Sequence, residues 1–305
     1  MSRLKDLQYR CEYAFVRLAA LGMGMMPLEA ATAMAAAVCG WAGPWTKLHE
    51  RAKANLAAAF PEATDDEQSR ILAGMWRHTG RTIGETLMME RILADPSRIE
   101  IVGREIVEPY LRAPGPNIGI TLHQGNWELA GCAILICGGQ LTGVYRPLRN
   151  PYLDRYLQDK RQLIYPGGLL YKGTMSGNRT AGQATREVID HLRKGGHLGF
   201  VCDQVEEAAT FTVPFFGLEA KFTPAPALIA RRIGGHVWIG RNLRLEDGTR
   251  FRFEVRELEV PRTGDADGDV KAATAAMARQ FEAWIREAPE QWMWWQRRVI
   301  GEGQA

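Results

Sequence analysis

The chain has 305 residues, 46% apolar and 24% charged, which is enough for one large domain or two small ones and excludes disorder over most of its length. Its 38 Lys and Arg against 35 Asp and Glu give a net charge of +3, with no dense basic stripe. That excludes a nucleic-acid binder of the usual kind and leaves a mild positive bias that suits an anionic membrane or an acidic partner.

Residues 18–28 and 30–45 are nearly all apolar, with Glu29 between them and Pro27 close by, in the middle of the whole stretch. A spanning helix needs about 20 apolar residues, and a charge at mid-bilayer costs about 3 kcal/mol. One clean span is therefore disfavoured. Asp6 and Glu12 argue against a secretory leader. Two readings remain: a membrane-embedded or interfacial helix pair, or buried helices of a soluble core. Cations flank the stretch at Arg3, Lys5, Arg10, Arg17, Lys47, Arg51 and Lys53, and favour a membrane surface. Residues 1–46 are accordingly read as a membrane-associating helical segment and 47–305 as the functional domain.

Residues 46–98 read as helical, with Thr64 and Glu67 as a capping box after Pro61. A buried strand is expected at 118–122 and a helix at 127–137. A strand at 141–145 and a helix at 151–164 follow. Residues 165–183 are rich in glycine, including Gly173 and Gly177, and read as a mobile loop. Next come a helix at 184–193, a strand at 197–202, a helix at 224–233, strands at 236–243 and 250–258, and a helix at 272–286. Residues 263–269 and the tail after Arg298 read as disordered. The alternation predicts an α/β fold with a mixed, partly parallel central sheet flanked by helices. No G-x-G-x-x-G or P-loop supports nucleotide binding. Five cysteines, an odd number without a CxxC pair, read as reduced core thiols.

The residues best placed for chemistry are His123-Gln-Gly-Asn-Trp-Glu128. The histidine stands at the carboxyl end of a predicted strand, where open α/β sheets bind ligands. Five helical residues turn about 500°, so His123 and Glu128 share no helix face. They meet only if His123 lies in a turn, which Gly125 allows, and Glu128 in the first helical turn. Glu128 would then hold the imidazole in one tautomer, and His123 would take the proton of an attacking hydroxyl. A structural histidine at a strand end is the competing reading. A zinc site lacks HExxH or another close ligand pair. Asp203 and Gln204 follow another predicted strand, and in a parallel sheet Asp203 emerges on the edge that carries His123; a turn-capping Asp is the plainer alternative. Arg146, Arg161, Arg231 and Arg232 are candidate anion contacts. Trp292, Met293, Trp294 and Trp295, followed by Arg297 and Arg298, suit either core packing or an interfacial, acyl-binding wall.

The chain resembles the late acyltransferases of lipid A biosynthesis, within the lysophospholipid acyltransferase superfamily. The matching segments are NLAAAFPEATDDE at 55–67, H-x4-E at 123–128, VYRPLRNP at 144–151, LRKGGHLGFVCDQ at 192–204, VPFFG at 213–217 and PEQWMWWQRR at 289–298. The resemblance implies transfer of an acyl group from acyl carrier protein to a hydroxyl of a lipid A precursor, at the cytoplasmic face of the inner membrane; with no activated Ser or Cys in a recognisable motif, direct transfer without an acyl-enzyme is expected. It implies His123 and Glu128 as catalytic residues and Arg161 and Asp203 as functional residues beside them; Asn126, Arg146 and Gln204, which lie in the matching segments, are expected to bind substrate with Arg161 and Asp203. Neither a cofactor nor a metal is expected. The glycine-rich stretch between Arg161 and Asp203 looks longer than in well-known members. A lysophospholipid or amino-acid lipid as acceptor, or a lipid-binding protein without turnover, are the other readings.

Overall fold

The computed structural model describes residues 3–171, 181–204, 210–245 and 248–296. In chain order the helices are α1 (Arg3–Gly24), α2 (Leu28–Ala42), α3 (Lys47–Ala59), α4 (Asp65–Leu87) and α5 (Met89–Leu93). The chain then alternates: β1 (Ile99–Val102), α6 (Arg104–Leu111), β2 (Asn117–Thr121), α7 (Ala130–Ile136), β3 (Leu141–Tyr145), α8 (Pro151–Gln162), β4 (Leu169–Tyr171), α9 (Ala181–Arg193) and β5 (His197–Val201). A hairpin of β6 (Phe211–Phe215) and β7 (Leu218–Phe222) precedes α10 (Ala225–Ile233), β8 (His236–Arg244), β9 (Phe251–Glu257) and α11 (Ala266–Glu287).

The central sheet has seven strands in the order β1-β9-β8-β2-β5-β3-β4. Only the β8–β9 pair is antiparallel. Because the middle strands are parallel, their carboxyl ends share one edge, and loops from β2 and β5 meet there.

Alternation on β2 assigns the two faces. Ile118 and Ile120 enter a core shared with α3, α4, α9, α10 and α11, where Phe281 and Trp284 are fully buried. Leu141, Trp238 and Phe253 face a second core under α2, α5, α6 and α7. Burying each such large side chain contributes about 1.5–3 kcal/mol.

Local chemistry explains several boundaries. The Thr64–Glu67 capping box forms, with Glu67 N–H donating to Thr64 Oγ1 at 3.3 Å and Thr64 N–H to Glu67 Oε2 at 2.9 Å. Helix α2 packs on α4 across Gly80, where a Cβ would stand 2.3 Å from the Ala35 carbonyl oxygen. Asn150 caps α8 by accepting from the N–H groups of Tyr152 and Leu153, and Pro151 takes the first helical position.

The structure corrects several expectations. Residues 263–269 are ordered: Asp265 caps α11, and buried Asp269 accepts from Thr263 and Arg231. Within the glycine-rich stretch, Leu169–Tyr171 pairs with β3; residues 172–180, with Gly173 and Gly177, lie outside the described residues. So do Arg297, Arg298 and the tail. Helix α6, strands β1 and β4 and the β6–β7 hairpin were not anticipated from periodicity. Cys11 is exposed rather than in the core, while Cys132, Cys137 and Cys202 are buried. Among the described residues no helix is long and apolar enough to cross a membrane.

Candidate active site

His123 leaves the carboxyl end of β2, and Asp203 leaves the same edge from the parallel neighbour β5. His123 Nδ1 lies 2.7 Å from Asp203 Oδ1, and the His123 backbone N–H donates to Oδ2 at 2.9 Å. Trp292 Nε1–H donates to that same oxygen at 2.8 Å. Burial alone would raise the pKa of this carboxyl, which is 1% exposed; its electrostatic attraction to His123, the ring and backbone hydrogen bonds from that residue and the Trp292 donor outweigh burial and hold the pKa below the usual value. The ionised carboxylate accepts from Nδ1–H and so presents the Nε2 lone pair to the cavity. Gln204 Nε2 meets Nε2 at 3.2 Å and also donates to Gln296 Oε1 at 2.5 Å.

Asp203 therefore takes the orienting position that sequence reasoning gave to Glu128, and this corrects the direct His123–Glu128 contact. Glu128 sits in a 3₁₀ turn, Trp127–Leu129, and points to α8. Its oxygens accept from Arg161 Nη2 at 2.5 Å and Nε at 2.8 Å, the forked geometry a guanidinium favours. Burial works to raise the Glu128 pKa, but the Arg161 charge and hydrogen bonds lower it on balance. The same pairing keeps the Arg161 pKa raised against the opposing effect of burial. Glu128 remains within electrostatic reach of His123, and the Trp127 ring lies 5.1 Å from the imidazole.

A buried scaffold fixes the turn that carries these groups. Thr82 Oγ1–H donates to the Gly125 carbonyl at 3.1 Å, and Asn242 Nδ2 to the Asn126 carbonyl at 2.7 Å. Gly125 has φ +57°, and a Cβ there would lie 1.8 Å from the Asn242 oxygen. Asn126 is wholly buried and donates to Glu85, which is also held by Arg244. It supports the turn and does not line the cavity, a correction to its expected contact with substrate.

His123, Glu128, Arg161, Arg146 and Gln204 stand at one end of a cavity of about 330 Å³. The cavity runs between the sheet and helices α6 and α7, with Leu111, Ala130, Ile134, Leu141 and Phe253 among its apolar walls. Arg146 is exposed there, marking the solvent opening. Arg231 lies elsewhere, paired with Asp269. Core packing is the reading that holds for Trp292 and Trp294, which are fully buried, while half-buried Trp295 stacks on Trp76. Trp127 and Gln296 are site residues that spacing did not mark, and Trp292 takes a part it did not suggest: Trp127 packs on the His123 ring, Trp292 donates to Asp203 and Gln296 accepts from Gln204, contacts that only the tertiary fold brings together.

Two carboxylates, a fixed imidazole with an outward lone pair, a guanidinium and an apolar cavity equip this edge to deprotonate a hydroxyl beside a bound hydrocarbon chain. The sequence pattern of bacterial lipid A biosynthesis acyltransferases matches residues 2–299. A lipid A biosynthesis acyltransferase of Haemophilus influenzae is 24% identical over 81% of this chain and 74% of its own. Two Escherichia coli enzymes are similar: a lipid A biosynthesis palmitoleoyltransferase, 25% identical over 84% of this chain and 80% of its own, and a lauroyltransferase, 26% identical over 80% and 76%. The chain belongs to the bacterial lipid A biosynthesis acyltransferase family and is an acyltransferase.

Proposed function

We propose that the chain transfers a fatty acyl group from acyl carrier protein to a hydroxyl of a lipid A precursor, with His123 as general base. The observation that carries this reading is the 2.7 Å His123–Asp203 contact at the opening of an apolar cavity. The acceptor hydroxyl takes the place of the Gln204 amide at Nε2. His123 removes its proton as the oxygen attacks the thioester carbonyl. The C–O bond forms, the tetrahedral oxyanion collapses, the C–S bond breaks, and the imidazolium returns the proton to the leaving thiolate. No acyl-enzyme is needed. Arg161, fixed by Glu128 through Nε and Nη2, keeps Nη1 for the developing oxyanion or an acceptor phosphate. Exposed Arg146 suits a second anionic group of the acceptor.

The setting of this reading is the cytoplasmic face of the inner membrane, and α1 supports it. Its polar side faces the protein: Asn150 Nδ2 donates to the Tyr9 carbonyl and to Glu12, Tyr152 Oη–H donates to Asp6, and Arg17 lies over Tyr156. Its apolar side, with Leu4, Leu7, Phe15, Leu18 and Leu21, faces outward, and Trp41 of α2 is exposed as well. Glu29, which would burden a spanning segment, instead accepts from Arg98 and Thr249. A helix docked by its polar side leaves its apolar stripe for the headgroup region.

The test incubates the purified chain with acyl carrier protein thioesters and a lipid A precursor, then identifies products by mass spectrometry. The expected product is an acyl ester of lipid A, lost in His123→Ala with the fold intact. Ester formation only on lysophospholipid would replace the acceptor. Tight lipid binding without turnover, or full activity of His123→Ala, would overturn the reading.

A further inference from the structure

Three adjacent strands carry glycine at their third position: Asn-Ile-Gly-Ile-Thr in β2, Leu-Thr-Gly-Val-Tyr in β3 and His-Leu-Gly-Phe-Val in β5. The register aligns them, with Gly119 opposite Gly199 and Gly143 also opposite Gly199. All three line the cavity and form a bare trough across its floor. Two of the three have a packing reason. A Cβ at Gly199 would meet Leu141 at 2.8 Å, and one at Gly143 would meet Leu169 at 3.0 Å. Gly119 has none. Its φ is not positive, and its Cβ would touch only the Leu198 carbonyl, at an ordinary 3.7 Å. Glycine inside a strand is costlier than alanine, so backbone and packing both favour a side chain here. What the missing side chain leaves is room in the cavity.

The far end of the same trough is polar. Asn117 Nδ2 lies 2.8 Å from His197 Nδ1 and 3.2 Å from the Tyr110 carbonyl. Trp238 Nε1 is buried without a hydrogen-bond partner. All three residues line the cavity. A methyl terminus pushed against this buried polar cluster would find no hydrogen bond to make there. Thr121 to Asn117 is four strand steps, about 13 Å. A backbone of three bonds per residue covers about 3.3–3.6 Å per residue, so roughly a dozen carbons fill that distance. An apolar cavity of about 150 Å³ holds the six carbons of benzene, so the 330 Å³ found here also points to about twelve.

We propose that Gly119 is a specificity-determining residue, whose missing side chain gives passage to an acyl chain of about twelve carbons that ends at Asn117, His197 and Trp238. The inference rests on the acyl-transfer reading and adds the donor's chain length. The names of the two Escherichia coli relatives, one for a lauroyl and one for a palmitoleoyl group, indicate that family membership alone does not fix this length.

Gly119→Ile tests it, with Gly119→Ala as the smaller step should the larger one fold poorly. The new side chain is a strand former and enters the cavity. Wild type and variants are assayed for kcat/KM with six- to sixteen-carbon acyl carrier protein thioesters, and for binding of the corresponding free fatty acids. Wild type should prefer about twelve carbons. Gly119→Ile should lose about 10–200-fold for each methylene it displaces and keep six- to eight-carbon donors nearly unchanged. A folded Gly119→Ile with the wild-type length profile, or an equal loss for all lengths, would overturn the proposal. Fatty-acid binding that shortens in the variant, without turnover in wild type, would sustain the cavity assignment and remove the proposed reaction. Turnover with an unchanged length profile would do the reverse.

Discussion

Asp203 accepts from the imidazole and backbone of His123 and from the indole of Trp292, and it stays ionised despite complete burial. Asp203→Asn removes the anion that selects the Nε2 lone pair while keeping size and shape. The corresponding change in a serine-protease triad costs about 10⁴ in kcat, and a similar loss is expected here with little change in thermal midpoint. Steady-state transfer assays on the folded variant check it; activity within tenfold of wild type would remove Asp203 from the orienting role. Glu128 predicts a different signature. Glu128→Gln strands a guanidinium whose side chain is only 17% exposed. Breaking a buried pair costs about 3–5 kcal/mol, and this remaining exposure puts the expected loss near 3. The double variant Glu128→Gln/Arg161→Met should recover part of it, as read from urea midpoints. Simple additivity of the two single losses would count against the pair as a coupled unit.

Helix α4 supports the turn that carries His123 and Glu128, through Thr82 and Glu85, and its buried polar groups make that support dependent on pH. His78 accepts from Arg244 Nε at 3.2 Å. Burial, then the charges of Arg244, Arg81 and Arg77, push its pKa down to about 3. The unfolded histidine binds a proton as pH falls below about 6.5, whereas the folded one stays neutral until about pH 3. The stability this confers is full above pH 6.5 and is lost as pH falls through that window. Denaturation midpoints measured from pH 7.5 to 4.5 should therefore fall less steeply in His78→Gln than in wild type; parallel slopes would show that His78 does not titrate in this way. On the same helix, Thr82→Val removes the donor to the Gly125 carbonyl and should cost about 1–3 kcal/mol, because it leaves a buried acceptor unpaired.

The whole molecule places its apolar surface unevenly. Phe15 and Leu18 are 74% and 68% exposed on a helix whose polar side is already used by α8. If this stripe enters a headgroup layer, each side chain contributes about 1.5–3 kcal/mol of transfer free energy. Phe15→Glu/Leu18→Glu should then weaken co-sedimentation with anionic vesicles by at least about a hundredfold and leave the thermal midpoint unchanged. Unaltered vesicle binding would assign the stripe to another occupant.

Much of the element order could be read along the chain, because helix and strand periods are local. The capping box at Thr64, the strand at 141–145 and the helix beginning at Pro151 need only neighbouring residues. His123 and Asp203 could be singled out for the same reason, since each follows the end of a strand that periodicity reveals; Arg161 stood out among the arginines only through the family resemblance. Their partners could not, since His123 chooses between Asp203, 80 positions away, and Glu128, five positions away, only once β2 lies beside β5. The pattern likewise left Glu29 and the apolar N-terminal stretch ambiguous, and their contacts in the fold turned the polar side of α1 inward. The three aligned glycines are written plainly in the chain, but they become one cavity floor only through strand register. Local sequence thus determined the elements and the candidate chemistry, while packing between distant segments decided which charges pair and how deep the cavity runs.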